Sequence, residues 1–514
     1  MTTRTSLLAR VGAISACLAI SWVPLTLATP ASGSPWPSVP ASGGAAAVLG
    51  GAAAVLGGAS ARRASQPAQM AQPGARSATL PASSTSCGPT SGAGQAPWPE
   101  FGGSPLHSDV GAGVAHAAGP LHEKWRSASL DGAVYGQPLL AGGCLYVATE
   151  DDSVYALNPS NGAVIWHVHL ATPVTSGLPC GDIDPSGITG APVLDTAKGL
   201  LFVVVLTDFS GNPVHELVGL KAANGQVVLR QRFALPGTNP AAEQERSALQ
   251  FQNGNVYISL GGLYGDCNRY LGAVISIPEA GGTPGYWHVP TANQAGIWEP
   301  GGPDILPDGD LLLADGNGAA SPGQPFDGSN AVFRLSPGLK VVGVFAPANW
   351  AQLNTSDGDL GSTGPAVLPG GFALQVGKAG EGYLVDINHL GGVGGQVFES
   401  QVCSSSGAWG ADAVSGETVY FPCEVGLTAV KVSGRSFHVL WASSGGGLGS
   451  PVVAGGRVFE QTDGGQLQAF DPTNGHVLQT INLGSPVTHF PWLLPIGSTL
   501  YAASATSIVA FSGL

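Results

Sequence analysis

A short pattern returns eight times along this chain and constrains its fold more than any other feature. A small residue and a proline, or an equivalent, lead into apolar residues. A glycine turn follows, then an apolar strand. The clearest copy is GQPLLAGGCLYVAT, Gly136 to Thr149. Others begin at Gly190, Gly302, Thr363 and Gly449, with weaker copies at Ser247, Gly410 and Pro491. Anchored on Pro138, Pro192, Ala248, Pro303, Pro365, Asp412, Pro451 and Pro491, the steps are 54, 56, 55, 62, 47, 39 and 40 residues. Repeats of about 40–50 residues carrying four short strands are propeller blades. The expected fold is therefore all-β: an eight-bladed β-propeller of four-stranded antiparallel blades over residues 96–514.

Blade 1 reads as strand A at Gln137–Ala141, B at Cys144–Thr149, C at Val154–Asn158 and D at Ala163–Leu170. Asn161-Gly162 supplies hairpin chemistry between C and D. Blade 8 has only three strands, at Trp492–Pro495, Thr499–Ala503 and Ile508–Phe511. The segment His122–Leu130 matches a strand D, with Trp125 in the place of Trp166. An N-terminal strand is thus expected to close the ring, satisfying edges that would otherwise stay open.

Only 10 % of the residues are charged, and 78 are glycine, which suits short strands and tight turns. Residues 1–95 carry five arginines and no acid, so residues 96–514 carry 14 basic and 33 acidic side chains. A surface this acidic repels phosphate backbones, and nucleic acid is excluded as a partner.

Residues 1–28 read as an export signal: Arg4 and Arg10, an apolar run from Val11 to Ala28, and small residues at Thr26-Leu27-Ala28. Membrane contact is expected only if this segment stays uncleaved or is lipidated at Cys17. Residues 29–95 are rich in Ala, Gly, Ser and Pro, with a tandem GGAAAVL at Gly43–Leu49 and Gly50–Leu56. They read as a disordered linker with too little apolar surface to offset its ordering entropy. A secreted or cell-surface location follows.

After Cys17, six cysteines remain and none forms a CxxC pair, so disulfides are expected rather than zinc. B–C turns and D–A loops share one face of a propeller. Cys403 and Cys423 fall together there and are expected to pair. Cys180 and Cys267 form a weaker candidate pair on that face. Cys144 starts a strand B on the other face, leaving Cys87 as its possible partner.

These repeats resemble the PQQ-like (pyrroloquinoline quinone) propeller family. LYVATEDDSVYALNPSNGAVIW, Leu145 to Trp166, is close to that repeat. The family's tryptophan-docking pattern, Ala-x-Asp-x-x-x-Gly-x-x-x-Trp, is met by Ala156, Asn158, Gly162 and Trp166, with Asn replacing Asp. It returns as Ala469, Asp471 and Gly475, with Gln479 replacing Trp. The segment Trp98–Ser108 is similar to the family's lead-in before its first blade. The resemblance specifies fold well and function poorly. It covers quinoprotein alcohol dehydrogenases and non-enzymatic scaffolds. The dehydrogenases carry an adjacent Cys-Cys disulfide over the cofactor, and no two cysteines are adjacent here. The non-dehydrogenase branch is therefore expected, with no cofactor; PQQ with Ca²⁺ belongs only to the alternative reading.

No nucleophile elbow, phosphate loop or H-E-x-x-H occurs, and no catalytic residue is assigned. Asp304, Asp308, Asp310 and Asp315 have the composition of a Ca²⁺ loop but read as solvated turns, as do Glu150-Asp151-Asp152 and Asp182-x-Asp184. His167 and His169 share one face of strand D and read as exposed without a metal. The longer steps of the early blades place insertions in the B–C segments Thr207–Glu216, Gly261–Tyr270 and Asp315–Asn330. The D–A loops Ala171–Gly187, Thr291–Pro300 and Ala348–Gly361 are long as well. All of them decorate one face of blades 1–5 and carry Phe209, Tyr264, Trp298, Phe326 and Trp350. The expected function is a non-enzymatic binding or scaffold module holding a protein or cell-envelope ligand on this face. Trp298, Trp409 and His489 are the residues expected nearest the axis. The alternatives are a PQQ-dependent oxidoreductase and a propeller that binds cell-wall glycan.

Overall fold

The computed structural model describes residues 86–92, 97–111, 119–404, 407–445, 447–484 and 489–514. The segments expected to be an export signal and a linker lie, up to residue 85, outside the described residues.

Eight antiparallel sheets form, one per repeat. Blade 1 consists of Leu139–Ala141, Cys144–Thr149, Ser153–Leu157 and Val164–His169, labelled A to D from the axis outward. Its strands A to C are buried throughout, whereas strand D alternates, as an outermost strand facing water on one side must. Blade 8 takes Leu493–Ile496, Thr499–Ser504 and Ser507–Ser512 from the end of the chain. Its strand D is His122–Arg126, paired antiparallel with Ser507–Ser512. Two blades gain a fifth strand. Glu243–Gln244 pairs with Gly261–Gly262 in blade 3, and Gly392–Val393 runs parallel to the outer edge of blade 4.

The core is not one mass. It consists of layers between neighbouring blades: one apolar cluster joins blades 1 and 2, another blades 1 and 8, and so on round the ring. The tryptophan-docking residues lock these layers. Trp166 of blade 1 donates from Nε1 to the Ala222 carbonyl of blade 2 at 3.2 Å. Trp125 of blade 8 reaches the Pro159 carbonyl of blade 1 at 3.1 Å and covers Gly162. Trp441 of blade 6 bonds the Pro472 carbonyl at 2.8 Å and covers Gly475. Each tryptophan therefore docks on the next blade's C–D turn, and Trp441 is the docking residue that the sequence pattern left out. Asn158 performs the turn duty of Asp471. Its Oδ1 accepts from the Ser160 N–H at 2.9 Å, as Asp471 Oδ1 accepts from Thr473 at 2.8 Å.

Residues 86–92, grouped by composition with the linker, lie against the propeller. Cys87 bonds Cys144, and the Cys87 N–H donates to the Ala223 carbonyl at 2.9 Å. The insertion at Thr207–Glu216 is not a loop either. Leu200–Asp208 and Pro213–Lys221 extend as a two-stranded ribbon with only Phe209–Asn212 at its tip.

The lead-in winds round the axis. Trp98 exchanges backbone hydrogen bonds with Leu140 of blade 1. The Pro99 carbonyl accepts from Leu194 of blade 2, Pro105 from Ile305 of blade 4, Ser108 from Val414 of blade 6 and Asp109 from Val453 of blade 7. The inner edges of the strands A of blades 1, 2, 4, 6 and 7 thereby gain partners. Phe101, 3 % exposed, packs among Ala191, Ala248 and Ala411 of blades 2, 3 and 6 and so blocks the axis. Gln137 ties the segment down. Its Oε1 accepts from Trp98 Nε1 at 2.8 Å and Gly102 N–H at 2.9 Å, while Nε2 donates to the Leu493 carbonyl at 2.9 Å.

Candidate functional site at the axial mouth

With Phe101 as its floor, a cavity opens toward the face of the B–C and D–A loops. Its walls come from the residues leading into strands A of blades 1, 2, 3, 4 and 8: Tyr135, Thr189, Arg246, Pro300, His489 and Trp492. The D–A loop of blade 1 leans over it. Ile183 joins the lining, and neighbouring Asp182 accepts from His489 Nε2 at 2.9 Å. Cys180 anchors the same loop to Cys267 of blade 3. Burial raises the Asp182 carboxyl, but His489 and Arg246 outweigh it and hold it below the ordinary value.

The cavity volume is about 20 Å³, room for about one or two waters or one small ionic group. That volume is smaller than a fused three-ring quinone such as PQQ requires. Nor does an adjacent cysteine pair exist to cover it.

The other expected residues fall elsewhere. Trp298 is not among the cavity's lining; its Nε1 donates to the Gly262 carbonyl at 3.0 Å between blades 3 and 4. Trp409 also lies off the cavity, with Lys378 Nζ 4.8 Å above its ring. Of the three, His489 lines the cavity. Cys403 is joined to Cys423, completing three disulfides among the described residues.

Several acids expected in solvated turns are buried. Glu150 and Asp152 are 1 % and 0 % exposed. Burial raises Glu150 to about 7, against the Gly187 N–H that donates to it at 2.7 Å. Burial, then the charges of Glu150 and Asp151, raise Asp152 to about 9. The reason is the blade 1–2 seam, which swallows alternate residues of the turn. The Asp304–Asp315 run disperses: Asp304 pairs with His107 at 3.0 Å, Asp308 and Asp310 with Arg334, and Asp315 accepts from the Ala331 N–H at 2.8 Å. Asp315 and Asn330 are wholly buried, so the blade 4 insertion is structural at both ends.

One group on the described residues has metal-ligand spacing: Asp131, Asp151 and His169 place ligand atoms within 4.8 Å of one another. These residues are exposed or half-buried, and neighbours already use them. Thr149 Oγ1 donates to Asp131 at 2.9 Å, and Ser153 Oγ lies 3.1 Å from His169 Nδ1.

Sequence reasoning missed Arg246 and Phe101. The available signals were a lone arginine leading into an inner strand of a chain poor in basic residues, and the aromatic at the centre of the lead-in.

No curated protein sequence matches the chain. Among solved structures, the quinohemoprotein alcohol dehydrogenase ADHIIG of Pseudomonas putida HK5 superposes with a TM-score of 0.64 at 14 % identity, covering 81 % of this chain and 80 % of that one. The quinohemoprotein alcohol dehydrogenase of Comamonas testosteroni gives 0.63 at 15 % identity, covering 81 % and 80 %. BamB of Moraxella catarrhalis gives 0.53 at 14 %, covering 76 % of this chain and all of that one (100 %). At these identities the likeness is one of fold alone. The family described as outer membrane protein assembly factor BamB matches residues 114–262 and 375–513, more than half the length. Repeat, ring and docking tryptophans agree with that match, and the chain belongs to this family of PQQ-type propellers.

Proposed function

We propose that the protein is an exported, non-enzymatic binding propeller whose partner docks on the loop-bearing face over the axial mouth. The observation that carries this reading is the closed axis. Phe101 and the lead-in fill the channel, leaving on this face a small cavity overhung by a disulfide-anchored loop. That geometry supports recognition of a group presented from outside better than enclosure of a cofactor. Three disulfides fit an extracellular or periplasmic setting. Among the described residues no helix is long and apolar enough to cross a membrane. Phe209 and Tyr264, 49 % and 41 % exposed, give the same face aromatic contact area.

The test has two arms. Envelope proteins and cell-wall fragments are cross-linked to the exported protein and to a Phe209→Asp/Tyr264→Asp variant; selective loss of a cross-linked partner is expected. Dye-linked turnover of alcohols or sugars with added PQQ and Ca²⁺ would overturn the reading.

A further inference from the structure

We infer that the axial cavity is an anion site that takes a small carboxylate, gripped by the Arg246 guanidinium. The inference rests on reading the axial mouth as the binding site and names the chemistry of what enters it.

The lining contains an arginine and a histidine but no aspartate or glutamate. Arg246 is half-buried and lines the cavity. Its guanidinium reaches Gln244 Oε1 only at 3.5 Å and makes no ion pair among the described residues. The acids whose charge it feels are engaged by other donors. Asp182 takes His489 at 2.9 Å, Glu150 takes the Gly187 N–H at 2.7 Å, and Asp266 takes the Tyr270 hydroxyl at 2.6 Å. A half-buried guanidinium with no ion pair of its own still has donors to offer an anion.

Trp492 and Tyr135 also belong to the wall. Trp492 is 1 % exposed and its Nε1–H has no partner among the described residues. The Tyr135 hydroxyl makes no hydrogen bond among them either. Phe101, Ile183 and Phe490 supply apolar walls, with Phe490 5.4 Å from the guanidinium carbon. A planar guanidinium fork matches a carboxylate through two parallel hydrogen bonds, and the volume admits one such group.

Calorimetric titration of the full chain with acetate, and separately with inorganic phosphate, in low-chloride buffer tests this. Acetate is expected to bind the native protein, at least tenfold more weakly to Arg246→Gln, and with intermediate affinity to Arg246→Lys. Tyr135→Phe should weaken it several-fold, and it serves as the reporter if Arg246→Gln does not fold. Equal acetate affinity in native protein and variants, or no acetate binding, overturns the site. Binding of phosphate without acetate overturns the carboxylate assignment. Either failure, with the partner still lost from the Phe209/Tyr264 variant, leaves the docking face standing.

Discussion

The side chain of Gln479 clasps the backbone of Leu121. Oε1 accepts from the Leu121 N–H at 2.7 Å and Nε2 donates to its carbonyl at 2.9 Å. Gln479 stands where the repeat places a docking tryptophan. The blade it faces is blade 8, whose C and D strands come from opposite ends of the chain, so no C–D turn exists to receive an indole. An amide that reads both polar groups of an incoming strand replaces it.

Gln479→Ala should therefore loosen the seam. Leu121 is 3 % exposed, and the substitution leaves its N–H and carbonyl without the amide. A loss of about 1–3 kcal/mol in unfolding free energy is expected by urea titration. A change within error would mean that the clasp does not hold the seam.

Gly475 and Gly497 offer a controlled comparison. Both have positive φ, +72° and +56°, but a Cβ on Gly475 would lie 2.4 Å from Trp441, whereas at Gly497 nothing lies within 4 Å. Gly497→Ala should cost about 1–2 kcal/mol, the left-handed strain alone. Gly475→Ala should cost clearly more and disturb the near-ultraviolet signal of Trp441. Equal costs would show that indole docking contributes nothing.

Stability should rise as pH falls from 9 toward 6. Burial raises Glu100 to about 6, Glu150 and Glu243 to about 7, and Asp152 to about 9. An acid whose folded pKa is raised gives stability that is fully present below its unfolded value, near 4, and lost as pH climbs through the folded one. His215 acts oppositely. Burial lowers it to about 4, so its share is present above 6.5 and lost on further acidification. A melting temperature several degrees higher at pH 6 than at pH 9 is expected, with Glu150→Gln and Glu243→Gln flattening the slope. A melt that rises with pH over that range contradicts the burial of these acids.

The disulfides should differ in reactivity. Cys403 and Cys423 are 0 % exposed, and Cys87 and Cys144 7 % and 1 %, while Cys180 and Cys267 are half-buried. Mild reductant followed by alkylation and peptide mapping should label Cys180 and Cys267 first. The other four cysteines should label only on unfolding. Early labelling of Cys403 would contradict this order.

Much of the ring was legible because each blade repeats one problem: an inner strand anchored by a proline, a glycine turn, an apolar strand B. Pro138 and Pro451 announce it plainly, and Trp125 announces the closure. The site was less legible because it belongs to no repeat. Arg246, His489 and Phe101 meet only through the ring's curvature, and the local signals at each do not say that the three come together. Glu150 and Asp152 look like turn acids until the seam with blade 2 covers them. Trp441 escaped because the pattern around it is broken: counted from Ala429, Lys431 and Arg435 stand where Asp and Gly belong, and the tryptophan comes twelve residues on instead of ten.

Closure by a first strand has a consequence for the order of events. The Ser512 hydroxyl and the His122 carbonyl that it meets are 390 residues apart in the chain. Contacts that distant form late, because loop closure must precede any gain from them. While the chain is being made, its first blades have no eighth neighbour, and the lead-in has no strands A from blades 6 and 7 to rest on. The ring therefore stays open until the strands of blade 8 have been made. A polypeptide in that state can be drawn through a narrow translocation pore and completed on the far side.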